Sequence, residues 1–205
     1  MKRMSFVVAT LALTACGPNE PSSPAEAPAT IEAERLALDC AAFQSLTPDG
    51  LVRRFGADQV SVQTLPGPEG ISYEASVVYA GDPSRRIEII WTTAGTAIDS
   101  VLVGSDSTRW IGPHGITFGT SLADVERANG RPFSLYGFDW DYGGWVSNWR
   151  DGALDGDCRM RVRFGPGENA PMNVSGDGEF ASDSAEMRAA NATVEAFGLM
   201  FVRPE

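Results

Sequence analysis

The chain has 205 residues and a formal net charge of −11, with 43% hydrophobic residues. That length accommodates one domain, or two small and closely packed halves, around a sizeable core. So acidic a surface repels phosphate backbones and anionic head groups, which disfavours nucleic acid as a partner and direct electrostatic adsorption to a bilayer.

The first residues read as an export signal. Lys2 and Arg3 precede an almost unbroken apolar run over residues 6–13, and Leu13-Thr14-Ala15-Cys16 follows at once. Basic, apolar and small-residue regions in that order mark a signal peptide over residues 1–15. The apolar run is well short of the ~20 residues that a membrane-spanning helix needs. The tetrapeptide ending at Cys16 resembles the lipobox of bacterial lipoproteins, and the resemblance implies that Cys16 is acylated and attaches the chain to a lipid bilayer. Each buried methylene contributes ~0.8 kcal/mol, so several acyl chains hold durably where one is marginal. Gly17 stands where an Asp would resemble an inner-membrane retention signal, so the expected location is the outer membrane, at its periplasmic face. The alternative is an ordinary secretory signal followed by a chance cysteine. Loss of Lys2 and Arg3 takes the mature chain to −13.

Residues 16–36 form the lipidated cysteine and a tether. Pro18, Pro21, Pro24 and Pro28 recur among Ala, Ser, Glu and Thr, a composition with too little apolar surface to offset the entropy of ordering. Extended at about 3.1 Å per residue, the roughly seventeen residues from Gly17 to about Glu34 reach up to ~50 Å from the bilayer.

Residues 37–205 are expected to form a single α+β domain. Thr47-Pro48-Asp49-Gly50-Leu51, ending at Phe55-Gly56, has a hydroxyl cap, Pro at the first helical position and a glycine stop. Ser121-Leu122-Ala123-Asp124-Val125, ending at Asn129-Gly130, repeats that plan 74 residues later, with Pro132 just beyond. Both predict short capped helices. Strands are predicted over residues 71–79, 86–92 and 98–103 after the first helix, and over residues 145–149 and 159–164 after the second. In the last of these, Met160, Val162 and Phe164 alternate with Arg159, Arg161 and Arg163. Such alternation describes a half-buried strand with a basic outer face, either a docking strip or a salt-bridged surface. Residues 165–181 read as a loop, followed by a turn or short helix and a closing strand.

A helix followed by an antiparallel meander, occurring twice, predicts two tandem repeats, about residues 46–110 and 115–165, with a C-terminal closing segment. This layout resembles the repeats of the β-lactamase-inhibitor-protein-like fold and of the small outer-membrane lipoproteins of the assembly-machine type. The match is carried by Gly115-Ile116-Thr117-Phe118-Gly119-Thr120-Ser121-Leu122-Ala123-Asp124-Val125 and the Asn129-Gly130-Arg131-Pro132 that ends it. The first copy lacks the Gly-Pro spacing. The resemblance implies a non-catalytic module that binds a protein or another envelope component through the exposed face of its sheet.

With Cys16 lipidated, Cys40 and Cys158 remain, and an even pair in an oxidising compartment reads as a disulfide. Two separate buried thiols are the alternative. The densest chemical segment runs from Phe133 to Trp149, and its candidate binding patch is Tyr136, Asp139, Trp140, Asp141, Tyr142 and Trp145. Aromatics bury large area at low entropic cost and are enriched in binding surfaces. Were residues 138–142 extended, Asp139 and Asp141 would share one face and Phe138, Trp140 and Tyr142 the other. The competing reading is that Trp145, Trp149 and half of the other rings are core. A second function is an envelope hydrolase or glycan-acting enzyme with Asp139 and Asp141 as acid and base, although the spacing fits glycoside hydrolysis loosely. Calcium-loop spacing fails from Asp139, with Gly143 at the fifth position and Arg150 at the twelfth. The chain holds one histidine, His114, in a Gly-Pro-His-Gly turn. Neither a metal nor a cofactor is expected, and no catalytic residue is assigned.

Overall fold

The structure is a computed structural model that describes residues 34–202; the expected signal peptide, Cys16 and nearly all of the tether lie outside the described residues. Along the chain run β1 (Leu36–Ala37), α1 (Cys40–Gln44), α2 (Pro48–Phe55), β2 (Val60–Pro66), β3 (Ser72–Val78), β4 (Ile87–Trp91), β5 (Ile98–Val103) and β6 (Trp110–Ile111). Then follow α3 (Leu122–Asn129), β7 (Ser134–Tyr136), β8 (Val146–Asn148), β9 (Cys158–Gly165), β10 (Glu179–Ala181), α4 (Ala185–Ala189) and β11 (Thr193–Phe201). The class is α+β, and no described helix is long and apolar enough to cross a membrane.

The two anticipated helices form for the reason their sequences suggest. The Thr47 hydroxyl accepts from Gly50 N–H at 3.1 Å, and Ser121 Oγ accepts from Asp124 N–H at 3.1 Å. Each cap satisfies an amide that the helix itself leaves unpaired. Gly130 ends α3 in the left-handed region, at φ 75°, where a side chain is strained. A third helix, α1, starts at Cys40 under the Asp39 cap.

Downstream of these helices the two segments diverge. Strands β2, β3, β4 and β5 make a meander within a six-stranded antiparallel sheet of order β2-β3-β4-β5-β11-β9. After α3, by contrast, β7 and β8 join β10 in a separate three-stranded sheet, and β9 lies on the edge of the large one. The loop expected over residues 165–181 therefore needs correction, because Glu179–Ala181 pairs with Ser134–Tyr136 as β10. Pairing also begins inside the expected tether: Leu36 and Ala37 lie parallel to Trp110 and Ile111.

One side of the large sheet carries the core. Ile87, Ile89, Val101, Val103, Met160, Val162, Phe197 and Leu199 come from four adjacent strands and are buried. They join Phe43 and Leu51 of the first helices, Val125 of α3, and Phe133 and Leu135 near β7 in one hydrophobic cluster. Phe133 stacks on Phe164 of β9, with ring centroids 5.8 Å apart. Cys40 and Cys158 are joined in a disulfide, Cα–Cα 6.0 Å, that ties the start of α1 to the start of β9 across 118 residues.

Candidate functional site

Alternation in the same strands presents a second set of side chains on the opposite face of the sheet. The register aligns Glu88 with Leu102, Leu102 with Gly198 and Gly198 with Arg161. One step along, Ile90 aligns with Ser100, Ser100 with Met200 and Met200 with Arg159. This face is partly roofed. The edge of β9 is covered by the β7–β8 hairpin, where Phe164 N–H donates to Gly144 O at 2.9 Å and Trp145 bridges to Arg163. Gly144 has φ 74°, and a Cβ there would collide with the Phe164 carbonyl, so only glycine lets the hairpin lie this close.

Between roof and sheet is a cleft of about 880 Å³, within the range of small-molecule sites, about 300–1,000 Å³. Its floor is Tyr73, Ile90, Leu102 and Met200; Tyr142 and Trp145 stand on the hairpin side, and Arg159, Arg161 and Arg163 come from β9. The Asp141 carboxylate accepts from Glu69 N–H at 2.8 Å. That bond links the hairpin tip to the β2–β3 turn, whose Pro68 lines the cleft together with Pro66 at the end of β2.

The three arginines have different surroundings. Arg159 Nε donates to Asp155 Oδ1 at 2.6 Å. Arg163 Nε donates to Gly143 O at 2.8 Å and pairs with Glu195 at 3.2 Å. The Arg161 side chain makes no hydrogen bond or ion pair among the described residues; its guanidinium lies over the Trp145 ring, 4.8 Å from the centroid. Burial holds the Arg161 pKa below its ordinary value, and the Asp99 charge and Tyr73 pull it back up. The strip is thus salt-bridged at both ends, with an arginine that has no ion pair in the middle.

Tyr73 donates its hydroxyl to Glu88 Oε2 at 2.8 Å. Burial first, and then that hydrogen bond, push its pKa from 10.0 up to about 12. It is therefore a neutral phenol at any physiological pH.

Of the residues picked out from sequence, Asp141, Tyr142 and Trp145 line the cleft, whereas Tyr136, Asp139 and Trp140 do not. Residues 138–142 are not extended. Asp139 takes φ 66°, which turns the chain and removes the shared face imagined for the two aspartates. Asp139 accepts instead from Ser175 Oγ at 2.6 Å while Asp141 binds Glu69, so the pair is not poised as acid and base. Trp140 is half-buried, donates Nε1–H to Gly137 O at 3.0 Å, and packs edge-on against both Tyr136 and Tyr142. Tyr142 is 37% exposed, and Trp149 is core at 2%. The floor residues carried no sequence signal as a site, because Tyr73, Ile90, Leu102 and Met200 come from four strands that meet only in the fold.

Chemically the cleft offers a cation, aromatic walls and an apolar floor. Its one serine, Ser147, donates to the Glu179 carboxylate. His114 borders a separate depression with Ser121 and Asp124. Among the described residues no group of three or more His, Cys, Asp or Glu side chains could hold a metal ion. No protein-family model, curated protein or solved structure matches the chain.

Proposed function

We propose that the chain is a lipid-anchored protein of the bacterial envelope, held through acylated Cys16 at the periplasmic face of the outer membrane. Its folded part acts as a non-catalytic binding module. The lipobox-like Leu13-Thr14-Ala15-Cys16 and the proline-rich segment after it support the anchor. The cleft supports the binding role: Tyr142, Trp145 and an arginine without an ion pair converge on one face of the sheet, with an apolar floor beneath. The ligand enters between the β7–β8 hairpin and that face. The tandem-repeat origin belongs to the same reading and rests on the matching N-caps of α2 and α3 and on the glycine that follows each.

Two measurements test it. Cys16→Ser is expected to move the protein out of the membrane fraction or leave it as an uncleaved precursor; normal processing with unchanged attachment refutes the anchor. For the cleft, a photo-crosslinking amino acid at Tyr142 is expected to trap a ligand in intact cells, while the same probe at exposed His114 traps none. Equal labelling at the two positions, or none at either, removes the cleft as the binding site.

A further inference from the structure

A guanidinium removed from water is costly unless its donors are met. Arg161 is half-buried on the cleft face of β9, and the described residues place a ring beneath its guanidinium but no hydrogen-bond acceptor at its N–H groups. Those N–H groups are not sealed in, since the described residues contain no buried side-chain nitrogen or oxygen without a partner. They open into the cleft that Arg161 lines. A guanidinium over an aromatic ring is attracted to it, and its N–H groups match the fork of a carboxylate.

The neighbours define the rest of the ligand. Gly198, beside Arg161 in the register, adds no side chain. Beyond it lie Leu102, Ile90 and Met200, an apolar strip leading away from the charge. Asp141, Asp151 and Asp155 also line the cleft, Asp99 acts on Arg161 through its charge, and Arg159 and Arg163 are already paired with Asp155 and Glu195. One unpaired cation among those carboxylates accommodates one negative charge and repels a second, which disfavours a phosphate dianion.

We infer that Arg161 is the anion receptor of this cleft and that its ligand is a small amphipathic monocarboxylate, with its carboxylate on Arg161 and its apolar body along Ile90, Leu102 and Met200. This assignment rests on the cleft being the binding site. Ion-paired hydrogen bonds of this kind contribute about 1.5–3 kcal/mol, so losing them weakens binding about tenfold or more.

The test is calorimetric titration of the non-acylated Cys16→Ser chain with dodecanoate, with dodecanol and with naphthoate. Dodecanoate, naphthoate or both are expected to bind, which distinguishes a linear from an aromatic body. Where dodecanoate binds, dodecanol should bind about tenfold more weakly or worse. Arg161→Gln should cost the bound carboxylate about tenfold or more and erase the preference over dodecanol, and Arg161→Lys should fall between. Should Arg161→Gln fail to fold, the lysine variant and the dodecanol comparison decide. Carboxylate affinity unchanged in Arg161→Gln, dodecanol binding as tightly as dodecanoate, or no binding of either carboxylate overturns the assignment. If a Tyr142-specific crosslink persists in that case, the carboxylate is wrong and the cleft stands; if the crosslink is also absent, the site itself falls.

Discussion

The two faces of the six-stranded sheet are built from alternate residues of the same strands, yet they are different materials. On one face Phe197, Leu199, Val162 and Val101 are wholly buried against helices and the smaller sheet. On the other, their immediate neighbours Met200, Arg161 and Leu102 are half-buried and line a cleft. Stability resides in the first face, while the second is free to carry chemistry because little of the fold depends on it. β9 shows the division within eight residues, with Met160, Val162 and Phe164 turned to the core and three arginines turned away.

The largest expected effect tests that division directly. Phe197→Ala should cost about 3–5 kcal/mol, the usual range for a buried aromatic. Met200→Ala, three residues along the same strand but on the cleft face, should cost below about 1 kcal/mol. Chemical denaturation measures both, and equal losses would abolish the contrast between the faces.

Next comes the disulfide. Cys40→Ser with Cys158→Ser frees α1 from β9 and should cost about 2–5 kcal/mol. Because Cys158 lies in register with Phe201, on the core side of β9, stability should fall further than the affinity of the folded fraction for a cleft ligand. A loss of affinity exceeding the loss of stability would show that the bridge shapes the cleft itself.

The smallest effect is a titration. Tyr73 keeps its proton in the folded chain until about pH 12 but releases it near 10.0 when unfolded. Its contribution to stability is therefore complete below pH 10 and is lost as pH rises from there towards 12. Phenolate absorbance should show an ionisation near pH 12 that Tyr73→Phe removes. If Tyr73→Phe removes no such step, the cleft floor is wetter than the Tyr73–Glu88 contact implies.

Part of this was legible beforehand. The caps at Thr47 and Ser121 and the Gly130 stop are local, so α2 and α3 were readable to within a residue or two. β9 was readable from its strict alternation, and the Cys40–Cys158 pairing from cysteine parity. Strand β2 is hard to read although Val60-Ser61-Val62-Gln63-Thr64 alternates: it is an edge strand with Val62 65% exposed, so burial does not sharpen its pattern. Helix α1, at five residues, is too short for periodicity to show.

The aromatic segment marks the boundary between the two kinds of knowledge. Gly143 and Gly144 announce a turn in any context, since their backbone freedom is intrinsic. That Asp139 is bound by Ser175 and Asp141 by Glu69 was set by segments far away in the sequence. So it was with the arginines. Sequence by itself determined that residues 159, 161 and 163 share one face, because a strand has period two. Tertiary structure alone decided that Asp155 and Glu195 neutralise the outer two and that a hairpin roofs the middle one. Pairing and burial are set by distances between remote segments, and no local pattern encodes those.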